Sequence, residues 1–179
     1  MRLTTKLIAL IIILLSVAAP VFAATNLLEN ADFETSMIAN LIPGWVVFTG
    51  RIGVDMLIEP DKAYDGESAL VFHITDTEQR TGLRSSPILA VPNGVYEAGV
   101  YVYDATSTRV FLYLDFWNSN QQRIAHKTIA TTAKNQWEEL RVRLTAPEDA
   151  LFVSIILYNT SGNLGSAYFD HAWLYLVDE

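Results

Sequence analysis

Arg109-Val110-Phe111-Leu112-Tyr113-Leu114-Asp115-Phe116-Trp117-Asn118 is the stretch whose reading decides the fold. Side chains on a strand alternate between its two faces, so the run divides cleanly. Val110, Leu112, Leu114 and Phe116 make one face, wholly apolar. Arg109, Phe111, Tyr113, Asp115 and Trp117 make the other, rings set among charged groups. A strand with one such apolar face belongs to a sheet lying on a core. The second face is unlike a plain solvent face, which carries Thr, Lys, Ser or Glu.

The same alternation spreads outward from this run. Upstream, residues 96–103 put Tyr96, Ala98, Val100 and Val102 on one side and Glu97, Gly99, Tyr101 and Tyr103 on the other. Downstream, 137–145 sets Leu140, Val142 and Leu144 against Arg141 and Arg143. Residues 152–158 set Val153, Ile155 and Leu157 against Phe152, Ser154, Ile156 and Tyr158. Shorter strands are predicted near residue 25 and over 54–59, 68–74, 124–129 and 166–177, with one over 83–89 broken near Pro87. Gly, Pro and Asn turns separate them, and 118–122 reads as a hairpin tip. Beyond the leader, no segment keeps a helical period. This predicts an all-β protein, an antiparallel two-sheet β-sandwich or jelly-roll, with no internal repeat, linker or second domain.

Residues 1–23 read as an export signal. Arg2 and Lys6 precede an apolar run over 7–17, and Val21-Phe22-Ala23 offers small residues for cleavage. An uncleaved membrane anchor is the alternative. Residues 24–179 then form the domain, expected outside the cytoplasm: secreted, periplasmic or at the cell surface. The whole chain has 12 basic and 20 acidic residues, a formal charge of −8. Losing Arg2 and Lys6 makes the domain more acidic still. That argues against nucleic acid or an anionic membrane as partner. It also favours a neutral ligand over an acidic one, unless a local basic patch reverses the balance. There is no cysteine. Disulfides, thiolate metal sites and a cysteine nucleophile are excluded, so the domain is held by its core or by a bound ion.

The outward residues Glu97, Tyr101, Tyr103, Arg109, Tyr113, Asp115, Trp117 and Tyr158 all fall opposite the core. If neighbouring strands bring them to one sheet, they form an aromatic face with fixed hydrogen-bonding groups. A pyranose needs both, having an apolar face and a rim of hydroxyls. The alternative is a second layer that covers the rings. Asp115 with Glu97 is the one pairing with a hydrolytic reading, since glycoside hydrolysis takes two carboxylates at a set separation. His73, His126 and His171 are scattered without metal-ligand spacing, and His73 reads as structural. Trp45, Trp137 and Trp173 read as packing residues. No serine nucleophile elbow or phosphate loop is present.

Several segments also resemble one family. Asn26-Leu27-Leu28-Glu29-Asn30-Ala31-Asp32-Phe33-Glu34 is similar to the opening of carbohydrate-binding modules of the family 4, 9 and 22 type. Pro43-Gly44-Trp45, Gly66-Glu67-Ser68-Ala69-Leu70, Pro92-Asn93-Gly94-Val95-Tyr96, Trp137-Glu138-Glu139-Leu140 and Ala167-Tyr168-Phe169-Asp170-His171-Ala172 follow in the family's order. The resemblance implies a galactose-binding-domain-like jelly-roll that binds a polysaccharide or oligosaccharide without catalysis, as a monomer. It also implies a structural calcium held by Glu34 and Asp170, with backbone oxygens near Ser36 and over 65–68. Where the family often has a second acid, this chain has His171. Such modules are often attached to glycosidases. The rival class is a structural or adhesive surface protein that keeps the fold without binding sugar.

Overall fold

Val, Phe, Leu and Tyr in alternation suit a pleated surface with one buried side. The computed structural model describes residues 25–60, 62–106, 108–160, 162 and 164–177. In it Val110–Trp117 is a strand whose Val110, Leu112, Leu114 and Phe116 are fully buried. It is the seventh of eleven strands among the described residues, which contain no helix.

The first five are β1 (Trp45–Thr49), β2 (Met56–Pro60), β3 (Ser68–Ile74), β4 (Thr81–Ser85) and β5 (Ile88–Leu89). Then come β6 (Val95–Asp104), β7 (Val110–Trp117), β8 (Arg123–Ala130) and β9 (Trp137–Thr145). Last are β10 (Phe152–Asn159) and β11 (Gly165–Val177). The strand expected over 83–89 is two strands, because Pro87 has no N–H to give a ladder. Residues 25–28 are not a strand, a correction to the sequence reading. They run beside β11, with Leu27 N donating to Leu174 O at 2.9 Å. The leader over residues 1–23 lies outside the described residues.

The strands make two antiparallel sheets. The first has the order β1-β4-β10-β7-β8, with β5 on β10; the second has β2-β3-β11-β6-β9. The sheets face each other across one core, as the jelly-roll expectation required. Ala98, Val100 and Val102 from β6 meet the apolar face of β7 there, and Tyr96 packs edge-on to Phe116 at 5.5 Å. Trp45 is buried beside Phe33, its indole N–H on the Asn30 carbonyl at 3.2 Å.

One connection decides where the site lies. After β6 the chain leaves the second sheet and enters the first at β7. Buried Asp104 ties this crossing. Its Oδ1 accepts from the Thr108 N–H at 2.8 Å and its Oδ2 from the Arg109 N–H at 3.0 Å. The Thr131 hydroxyl donates to Oδ2 at 3.3 Å, fixing the end of β8 to the same carboxylate.

Candidate functional site

That crossing splits the row of outward side chains read from the sequence. Glu97, Tyr101 and Tyr103 stand on β6 in the second sheet. Tyr113, Asp115 and Trp117 on β7, with Tyr158 on β10, stand in the first. Arg109 is exposed at the foot of β7, its guanidinium 5.6 Å from the Phe111 ring. The two groups look outward from opposite sides of the sandwich. A single shared face is therefore corrected, and so is any acid–base pair of Glu97 with Asp115. Alternation marks inward and outward; it does not say which sheet a strand joins.

On the first sheet the outward residues form a compact surface. Directly opposite residues share a face. Ile156 lies opposite both Arg84 and Tyr113, Arg84 opposite Val46, and Tyr113 opposite Thr128. Asp115 lies between Ser154 and His126, and Phe152 is opposite Trp117. Tyr158 lies opposite Phe111 and Gly82. A methyl group on Gly82 would stand 2.8 Å from the Tyr158 ring and 3.2 Å from Phe48, so the glycine lets both rings lie on the strand.

Two hollows adjoin along β10. One, of about 290 Å³, is lined by Arg84, Pro87, Trp117, Gln121, Phe152 and Ser154. The other, of about 200 Å³, is lined by Phe48, Tyr113, Arg123, Ile156 and Tyr158. The Trp117 indole N–H donates to the Ser154 hydroxyl at 2.9 Å, and the Arg84 guanidinium lies 5.3 Å from the Trp117 ring. Tyr113 and Phe48 both meet Tyr158 edge-on, at 6.2 and 6.0 Å. Gln121 reaches the first hollow from the β7–β8 hairpin, where it takes a positive φ of 59°.

Asp115 is wholly buried beneath this surface. Burial pushes its carboxyl above the usual range, and the Arg123 guanidinium, 3.5 Å from Oδ2, only partly opposes that. Its Oδ1 and the Arg84 Nε are buried without a hydrogen-bond partner among the described residues. Sequence reasoning missed Arg84. The usable clue was Leu83, an apolar residue that turns Arg84 to the face of Tyr113, but Pro87 cut the pattern too short to trust.

The second sheet's outer face is covered only in part, and a hollow of about 220 Å³ stays open there, lined by Glu97, Tyr101, Arg141, His171, Trp173 and Tyr175. Tyr64 stacks on Tyr101 at 3.6 Å and 9°, and the Lys62 ammonium sits 3.8 Å over Tyr103. The Tyr101 hydroxyl is pushed up to about 12, first by its interaction with Tyr64, then by burial and by Glu139. Trp173 is buried in the space that Gly99 leaves open, with the Arg141 guanidinium 5.7 Å from its ring. Glu97 lies 3.6 Å from the same guanidinium. His73 bridges Ser166 at 3.0 Å and Glu59 at 3.1 Å, a structural role.

Glu34 and Asp170 do converge, on the loop before β3. Glu34 Oε1 accepts from the Glu67 and Ser68 N–H groups at 2.8 and 2.9 Å. Buried Asp170 accepts from Tyr64 and Asp65 through Oδ2, at 2.7 and 3.0 Å, and from His171 through Oδ1 at 2.6 Å. Here the loop presents N–H groups where carbonyl oxygens were expected. Burial raises the Asp170 carboxyl, the amides lower it, and the charge of Glu34 raises it further. Two carboxylates that repel each other are hard ligands of the type calcium takes. Among the described residues no third acid or histidine joins them.

No protein-family model matches the sequence, and no curated protein matches it. Solved structures do share the fold. The enzymatically active domain of bacteriophage CBA120 tailspike protein 4 superposes with a TM-score of 0.69 at 14% identity, over 85% of this chain. This chain spans only 21% of that one. A family 16 carbohydrate-binding module gives 0.64 at 18% identity, covering 86% of this chain and 100% of that one. The CBM22-1 xylan-binding domain of Paenibacillus barcinonensis Xyn10C gives 0.64 at 19% identity, covering 88% and 97%. Identities this low establish a common jelly-roll architecture.

Proposed function

We propose that this protein is a non-catalytic carbohydrate-binding domain that holds a polysaccharide or oligosaccharide on the outer face of the first sheet. One observation carries the reading: two adjoining hollows walled by rings, with hydrogen-bonding groups between them. Trp117 and Tyr113 supply flat apolar area for a sugar ring. Arg84, Arg123 and Gln121 supply donors for its rim. The trough is fixed in advance by the Trp117–Ser154 bond and the edge-packed tyrosines, which lowers the ordering cost of binding. Solved domains of this architecture include one described as xylan-binding, which supports the reading without identifying the sugar.

Catalysis is left out for a chemical reason. Glycoside hydrolysis takes a pair of carboxylates, and Asp115 is the one acid on the strands of this sheet. The leader over residues 1–23 would export the domain, so the glycan is met outside the cytoplasm, by a monomer. Calcium remains part of the proposal as a structural ion. Glu34 and Asp170 would hold it, and it would neutralise their mutual repulsion where the start of the chain meets β11. Stripping it with a chelator should then lower the melting midpoint of the protein and not of its Glu34→Gln variant. Equal melting with and without chelator would remove the ion.

A glycan array tests the main reading. Binding confined to one polysaccharide class, weakened by Trp117→Ala, is expected. Silence from a folded protein would favour a structural or adhesive role.

A further inference from the structure

The chain is acidic, with a formal charge of −8, yet the outer face of the first sheet is not. The strands of that sheet hold Arg84, Arg123, His126 and Lys127 against a single acid, Asp115. Asp115 is wholly buried and shows no carboxylate to a ligand. Lys127 lies opposite inward-facing Leu114 and reaches the Arg143 carbonyl at 3.2 Å, so it does not belong to the face. What a ligand meets is Arg84 in the first hollow and Arg123 in the second.

Arg84 is the informative one. Its Nε is buried with no hydrogen-bond partner, and no ion pair among the described residues includes it. Lining the first hollow, Arg84 can grip a carboxylate there through the two terminal Nη groups of its guanidinium. That group lies 5.3 Å from the Trp117 ring, where a sugar stacked on the indole would bring its substituents. Arg123 already has Asp115 as its partner, whereas sugar hydroxyls would leave Arg84 without an ion pair; a uronate satisfies its donors and its charge together.

We infer that the glycan held in this groove is acidic, with a uronate carboxylate on Arg84 beside Trp117. The inference rests on the sugar-binding reading of the same groove and adds the class of its ligand. It reverses the preference for neutral ligands that overall charge implies, because the acids lie elsewhere on the molecule.

The test compares glucuronoxylan, polygalacturonate and alginate with the same polymers after reduction of their carboxylates to neutral alcohols. Linkage and chain are then constant and only the charge changes. At least one acidic polymer should bind about tenfold or more tighter than its reduced form, about 1.4 kcal/mol. Arg84→Gln, checked for folding by its melting midpoint, should bring the two forms to parity. High salt should narrow the gap in the wild-type protein. Equal or tighter binding of the reduced forms would overturn the inference, as would binding of none of the acidic polymers. Binding of a neutral glucan, xylan or mannan in either case would leave the groove standing and reject only its acidic ligand.

Discussion

Trp117 is held before any ligand arrives, by Ser154 through its N–H and by Arg84 beside its ring. A fixed, half-buried ring is the kind of side chain whose truncation costs most at a binding surface. Trp117→Ala and Tyr113→Ala should each weaken glycan binding about tenfold or more, read by calorimetric titration, while melting midpoints stay close to wild type. Asp115 makes a different prediction. Its folded carboxyl is raised above the ordinary 3.8 chiefly by burial. The folded state therefore holds its proton longer than the unfolded state, and stability falls as pH rises from about 4 through the folded pKa. Asp115→Asn removes that loss. Melting curves across pH should show the variant gaining on wild type as pH rises; a variant that falls further behind towards neutral pH would show that the Arg123 pair outweighs burial. The outward position of Asp115 was legible from alternation. Its burial was not, because an alternating pattern does not count the long side chains that neighbouring strands lay over a residue.

At the scale of elements, β7 is the most legible part of the chain. Its four inward residues are fully buried as the alternation requires, and β9 has the bounds read from the sequence. Leu114→Ala should cost about 2–5 kcal/mol in denaturant unfolding, since it leaves a cavity between two close-packed sheets. The 104–109 crossing was not legible. It depends on one buried carboxylate, Asp104, gathering backbone and hydroxyl donors from the crossing itself and from Thr131 at the end of β8, and nothing in the local pattern announces that. The loop before β3 is a similar case. Gly66 has φ +75°, and a methyl group there would overlap the Glu34 carboxylate. Asp170→Ala should lower stability by about 1–3 kcal/mol for each backbone N–H left unpaired and dry, measured by denaturant titration. The loss should be largest around Tyr64 and Asp65, whose faster amide exchange would locate it.

For the molecule as a whole, the two outer faces differ in what remains available. On the second sheet Tyr64 stacks on Tyr101 and Lys62 lies over Tyr103, beside one hollow of about 220 Å³, while the first sheet's rings border two hollows that adjoin along β10. Sequence gives the sandwich because period-two alternation is local and repeated. It does not give the division of functional residues between sheets, which depends on strand order. The central claim is that sugar binds the first sheet and not the second. Glycan titration of the wild-type protein, Trp117→Ala and Tyr64→Ala, one variant on each face, tests it directly. The account predicts a loss of about tenfold or more for Trp117→Ala and wild-type affinity for Tyr64→Ala. Undiminished binding by Trp117→Ala together with loss in Tyr64→Ala would place the ligand on the opposite face and contradict it.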